Sequence, residues 1–173
     1  MSTQRTYDLN GVDLHRVGRV AESYRRDPES GRKSFDARVE WVGGFRTKAR
    51  LCDHDPLAGD EPEELAGSAT GPAPEEMLLG AVGQCLIVGL ASSAAARGIR
   101  IESLAVEVQG KANLTAAYGI EEGNPGFDSV EVEVKLDADA DRDELEALVD
   151  HAVKLAPIPN TVSRPVPVET RLA

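Results

Sequence analysis

Twenty consecutive residues, 77–96, carry no formal charge. Glu75 and Glu76 lead into this run and Arg97 leads out of it, the order that complements a helix macrodipole. Pro74 suits a first helical turn and Gly98 suits the position just past a helix end. The stretch PEEMLLGAVGQCLIVGLASSAAARG is therefore predicted to be one helix, roughly 35 Å long at a rise of ~1.5 Å per residue. Its apolar residues lie on every side, so every side needs cover, from protein or from lipid. Length alone permits a membrane span. Gln84, Ser92 and Ser93 interrupt the run, Gly and Ala are frequent in it, and its flanks read as soluble strands. The expectation is a helix buried on all sides at the centre of a soluble protein, with no membrane partner. Gly80, Ala81, Gly83, Gly89, Ala91 and Ala94 would let another backbone come close. Cys85 sits in the middle of this helix.

The rest of the chain supplies cover. Leu9, Val12, Leu14, Val17 and Val20 fit a short amphipathic helix within a polar N-terminal extension, residues 1–33. Phe35, Ala37, Val39 and Trp41 alternate with Asp36, Arg38 and Glu40 as a half-buried strand. Gly43-Gly44 turns the chain into a second strand, where Arg46, Lys48 and Arg50 share a solvated face. Residues 53–73 read as a long loop rich in Pro, Gly and acid. Beyond the central helix, Ile99, Ile101, Leu104, Val106 and Val108 mark one strand region, and Val130, Val132, Val134 and Leu136 another strand. Asp141-Arg142-Asp143-Glu144 is a capping box. It opens a helix through about Leu155, with Leu145, Leu148, Val149, Ala152 and Leu155 as the buried stripe, ended by Pro157. Residues 166–172 read as a last edge strand. The order gives an α+β fold in a single domain, 1–173. One small sheet cannot cover a helix that is apolar all round, so a homodimer with crossing central helices is expected.

Net charge is −11, which argues against nucleic acid as a partner. The charge is uneven: residues 1–50 carry 11 Lys/Arg against 7 Asp/Glu, and the acid excess lies in the remainder. Two isolated cysteines, Cys52 and Cys85, and an opening without an apolar leader segment point to a reducing cytoplasm.

Cys85 is the candidate nucleophile. A buried cysteine often serves only as a small hydrophobe; to react, its thiol must become a thiolate. The helix dipole fades within the first turn, so a cation is needed. Arg46 is the best candidate, because a guanidinium stays charged when buried. A carboxylate would then hold the Arg. Glu75 and Glu76 are available, yet a straight helix places them roughly 14–15 Å along the axis from Cys85. Contact would require a later helix start or a carboxylate from another subunit. Cys52-Asp53-His54-Asp55 resembles a metal cluster only briefly, since four adjacent residues do not share one face. No metal and no cofactor are expected.

The segment PAPEEMLLGAVGQC, the apolar helix after it and RGIRIESLAVEVQG together resemble the OsmC/Ohr superfamily, the osmotically inducible and organic hydroperoxide resistance proteins. EWVGGFR, DEPEELAGSATGPAP and LAPIPNTVSRPVPVE extend the resemblance from about residue 34 to 173. It implies an intertwined α+β homodimer with long central helices wrapped by antiparallel sheets. It also implies cysteine-based reduction of organic hydroperoxides at the subunit interface. The reactive cysteine of the family motif corresponds to Cys85, its glutamate ten residues earlier to Glu75, and its arginine after the Gly-Gly hairpin to Arg46. The family's second, resolving cysteine lies in a Cys-Pro-Val-type motif after the last helix, where this chain has Ala156; Cys52 does not replace it. The implied activity is therefore a one-cysteine peroxidase drawing on an external thiol reductant. The alternative is a ligand-binding or redox-sensing stress protein without efficient turnover.

Overall fold

The computed structural model describes residues 9–172. Its elements are α1 (Leu14–Arg26), β1 (Ala37–Gly43), β2 (Arg46–Leu51), β3 (Leu57–Gly59), α2 (Pro74–Arg97), β4 (Ile101–Ala112), α3 (Leu114–Ala117), β5 (Phe127–Ala138), α4 (Arg142–Leu155) and α5 (Pro157–Val162). Every strand pair is antiparallel, so the architecture is α+β as expected. The described residues divide into one unit of residues 16–78 and another of residues 9–15 with 79–172.

In the first unit β1, β2 and β3 form a sheet in that order. Gly43 and Gly44 take φ of +137° and +59° in the β1–β2 turn, conformations that favour glycine. The Trp41 indole N–H donates to the Gly44 carbonyl at 2.8 Å, which braces the turn. β3 lies inside the stretch read as a loop. Three residues are too few to show alternation, and pairing with β2, not pattern, makes them a strand. Gly59 is required there. A Cβ would lie 2.7 Å from Thr47 Oγ1 and 2.8 Å from Met77 Cε. The rest of the loop is wound around Asp60, which is only 2% exposed. Its carboxylate accepts from the Glu61, Ser68 and Thr70 backbone N–H groups and the Thr70 hydroxyl, at 2.8–3.1 Å.

The outer face of β1 differs from expectation: Val39 is 60% and Trp41 78% exposed, so this strand is open, not half-buried. No layer of this unit covers its apolar side chains, and Glu40 between Val39 and Trp41 is the less exposed residue. α1 runs longer than its predicted anchors, because Tyr24 continues the spacing of Val17 and Val20. None of its residues is buried.

In the other unit β4 and β5 form a long two-stranded ladder, with Val106 opposite Val134 and Val108 opposite Val132. Leu90, Ala94, Ile99, Leu148 and Ala152 make its core, backed by Leu104, Val134 and Leu136 from the ladder. Gly83 lets α2 lie close on β4; a Cβ there would meet Val108 Cγ2 at 3.4 Å. α2 ends as its sequence predicts. Gly98 has φ +77°, and the Ile99 N–H donates to the Ala94 carbonyl at 2.9 Å. The predicted capping box of α4 is formed: Asp141 accepts from the Glu144 N–H at 2.9 Å and Glu144 accepts in return at 3.4 Å.

Within one chain α2 is covered on one face only, and two other expectations fail. Val82, Gly83, Leu86, Leu90, Ala94 and Ala95 form one buried stripe, while Ile87 is 37% and Val88 69% exposed. A single chain has only enough β4, β5 and α4 to cover one face. By length and composition α2 could cross a bilayer, but the buried stripe packs on protein. Leu155, assigned to the buried stripe of α4, is exposed, because the helix ends there and turns away. Pro157 does stop α4, but it also opens α5, where its missing N–H costs nothing. Residues 166–172 form no strand, and Val168 and Leu172 are almost fully exposed. Pro165 and Pro167 offer no N–H to a ladder, and among the described residues β4 and β5 pair only with each other.

Candidate active site

Cys85 lies on the border of the buried stripe of α2. Val82 and Leu86, one turn before it and one residue after it, are buried, whereas Gln84 and Val88 are exposed. This places the thiol, free and half-buried, in the wall of an apolar trough of about 490 Å³ between α2 and the α4–α5 junction. Ala81, Gln84, Cys85, Val88, Gly89 and Ser93 line it from α2, and Ala152, Leu155, Ala156, Pro157 and Ile158 from the other side. Ala156 is 4% exposed and belongs with Val82 and Leu86 to the cluster against which Cys85 packs. The position where the resemblance expects a second cysteine is thus in the wall that faces Cys85. Its placement depends on the break between α4 and α5. Ala156 is extended (φ −71°, ψ 116°), and the Asn160 amide donates to the Ala156 and Val153 carbonyls at 2.8 and 3.1 Å, which fixes the break.

Arg46 and Glu75 belong to the unit of residues 16–78 and Cys85 to the other. Arg46 is exposed at the start of β2, its Nε donating to the Gly43 carbonyl at 3.2 Å. Glu75 is exposed in the first turn of α2. The neighbouring Glu76 is occupied as a cap, accepting from the Ala73 N–H at 2.9 Å. α2 does begin at Pro74, so the later helix start that would bring Glu75 toward Cys85 does not occur.

Two acidic groups escaped the sequence reading, although the density of acid in residues 53–73 was visible. Burial works to raise the Asp60 pKa, but the hydrogen bonds from Thr70, Glu61 and Ser68 outweigh it and hold the carboxyl below its usual value. Glu61 is shifted the other way, up, first by burial and then by the charges of Glu75, Asp60 and Glu76. Its Oε2 is buried without a hydrogen-bond partner among the described residues. Among the described residues, no three His, Cys, Asp or Glu side chains are arranged to hold a metal ion.

Residues 67–171, which carry α2, the β4–β5 ladder and the trough, match the family model of OsmC-like proteins. The chain belongs to the OsmC-like family. Glu75, Cys85 and Ala156 fall inside the matched segment and Arg46 outside it. Solved OsmC-like structures share the fold. An OsmC-like protein from Mycoplasma pneumoniae superposes with a TM-score of 0.66 at 20% identity, covering 76% of this chain and 88% of that one. An organic hydroperoxide resistance protein OsmC from Legionella pneumophila gives 0.57 at 21% identity, covering 75% and 89%. The organic hydroperoxide resistance protein OhrB of Bacillus subtilis gives 0.51 at 21%, covering 74% and 90%. Among curated sequences, the uncharacterised protein YmaD of Bacillus subtilis is 41% identical over 54 residues. That match spans 31% of this OsmC-like chain and 36% of the length of YmaD.

Proposed function

We propose that this OsmC-like protein is a one-cysteine peroxidase that reduces organic hydroperoxides with electrons from an external thiol. The observation that carries the reading is the setting of Cys85, a free thiol in the wall of an apolar trough. Such a trough suits an alkyl hydroperoxide better than hydrogen peroxide. The names of the Legionella pneumophila and Bacillus subtilis neighbours point the same way. In the reaction the Cys85 thiolate attacks one peroxide oxygen. The O–O bond breaks, the alkoxide leaves and takes a proton to become the alcohol, and sulfur is left as a sulfenic acid. With Ala156 in place of a resolving cysteine, an external thiol condenses with the sulfenic acid and releases water. A second external thiol then reduces the mixed disulfide and frees Cys85.

By resemblance, Arg46 stabilises the thiolate and polarises the peroxide, and Glu75 orients Arg46. α2 is continuous from Pro74, which favours a carboxylate supplied by a second copy. The exposed apolar faces of α2 and β1 support a homodimer, since patches of this kind mark association surfaces. We place the protein in the cytoplasm, as one OsmC-like domain whose first 33 residues are an extension, and without a membrane or nucleic-acid partner. The alternative, a ligand-binding or redox-sensing protein, draws on the same alanine: without a resolving thiol, an oxidised Cys85 persists until another thiol reaches it.

A stoichiometric organic hydroperoxide added to the reduced protein separates the two. Rapid conversion of Cys85 to sulfenic acid, reversed by added thiol with catalytic turnover and abolished in Cys85→Ser, is the expected result. A Cys85 that stays reduced while free thiols in solution oxidise at their usual rate would sink the peroxidase reading.

A further inference from the structure

The connection between β4 and β5 holds large apolar side chains in solvent. Tyr118 is 63% and Ile120 76% exposed, and Leu114 in the same connection is 40% exposed. Hydrogen bonds fix this tip. Asn113 caps α3, accepting from the Thr115 and Ala116 N–H groups. The Asn113 amide and the Thr115 hydroxyl both donate to the Glu121 carboxylate, and these bonds hold its carboxyl below the usual value. Gly119, at φ +66°, turns the chain between Tyr118 and Ile120. An apolar patch held out on a fixed turn marks a contact surface. Residues 113–128 carry Glu121, Glu122 and Asp128 and no Lys or Arg, so the partner that fits is apolar and basic.

α1 has both properties. Val17, Val20 and Tyr24 recur at helical spacing and are 44%, 43% and 37% exposed. Arg16, Arg19, Arg25 and Arg26 outnumber the single acid, Glu22, which Arg25 and Arg26 already hold. α1 also lies outside residues 67–171, the segment shared with the family. The helix is too short to reach the tip of its own chain. Asn10 is pinned at the opposite end of β4, where its amide donates to the Ile99 carbonyl at 2.8 Å and its oxygen accepts from the Ile101 N–H at 3.0 Å. From Asn10 the chain extends at most about 18 Å to Val17 and about 29 Å to Tyr24. β4 alone takes ~36 Å to run from Ile101 to Ala112, and the tip begins only there.

We propose that α1 of one copy docks on the β4–β5 tip of a second copy, its Val17, Val20 and Tyr24 against Tyr118 and Ile120 and its arginines beside Glu121 and Glu122. The apolar stripe supplies the contact and the charges set its orientation. This surface is independent of the chemistry at Cys85.

The test is a disulfide cross-link between full-length chains in which Cys52 and Cys85 are serine. One chain carries Val20→Cys and the other Ile120→Cys. The two are coexpressed, oxidised with diamide and weighed intact, since their masses differ. Tyr24→Cys with Tyr118→Cys is a second pair, and Val20→Cys with Arg142→Cys, on the exposed face of α4, measures random collision. Both docking pairs should give mixed dimers about tenfold above the collision control. Glu122→Lys should lower the yield several-fold at low salt, and Arg19→Glu in the other chain should restore it. A yield no higher than the control for both pairs would overturn the proposal. So would a disulfide that closes within one chain carrying both Val20→Cys and Ile120→Cys, with no mixed dimer.

Discussion

Cys85 and Ala156 set the chemistry at the scale of single residues. Both belong to one packed cluster, so restoring a thiol at position 156 should restore the missing half of a disulfide. Ala156→Cys is expected to lose two hydrogens in mass when treated with one equivalent of hydroperoxide, through a disulfide between Cys85 and the introduced thiol. It should then accept electrons from dithiols in preference to monothiols. A variant that stops at sulfenic acid would show that the two side chains do not approach. Asp60 acts on the fold instead. Its folded pKa is lowered, so its contribution to stability is fully present above the unfolded value of about 3.9. That contribution is lost as the pH falls through the folded value. Asp60→Asn places an NH2 group among N–H donors. It should melt several degrees below the parent at pH 7, with the gap narrowing below about pH 4 as the parent's own carboxyl protonates. A pH-independent gap in calorimetry would assign the loss to packing.

Among the elements, α2 and α4 read most clearly in sequence, because their end signals are local. A proline, two acids, a glycine and a capping box act within one turn of where they stand. The stripe that α4 buries was legible in Leu148 and Ala152, which are 0% and 3% exposed. Leu148→Ala should cost about 2–5 kcal/mol in denaturant unfolding; a change within error would mean that the core around Leu90 and Ile99 can close over the gap. β3 and the open stretch after Ser163 were not legible for one shared reason. A strand exists by pairing, and neither three residues nor a proline-punctuated run reveals its partner. The same applies to Asp60. The acid was visible, but the loop that closes on it brings together residues up to ten apart in sequence.

At the scale of the whole molecule, the central question is what covers the open faces of α2 and β1. Val88, Trp41 and Val39 are all more than half exposed, in a chain with few aromatics to spare. The homodimer proposed above predicts that the protein sediments as a dimer at micromolar concentration. It also predicts that Ile87→Asp, on the open face of α2 and outside the trough, weakens the dimer roughly 100-fold. A dimer indifferent to that change would use another face, and a stable monomer would end the proposal that a second copy supplies Glu75.

The class of fold, the extent of the central helix, the capping of α4, the family and the position of Cys85 were legible in the amino-acid order. Each of these is written in local order: the period of apolar residues, the chemistry of helix ends, a motif contiguous in the chain. That α2 buries a single stripe within the chain, that the acidic loop closes on Asp60, and that Ala156 lines the trough beside Cys85 emerged only with the folded structure. Those facts depend on which surfaces meet after the chain folds back, and burial is a property of the neighbour as much as of the residue.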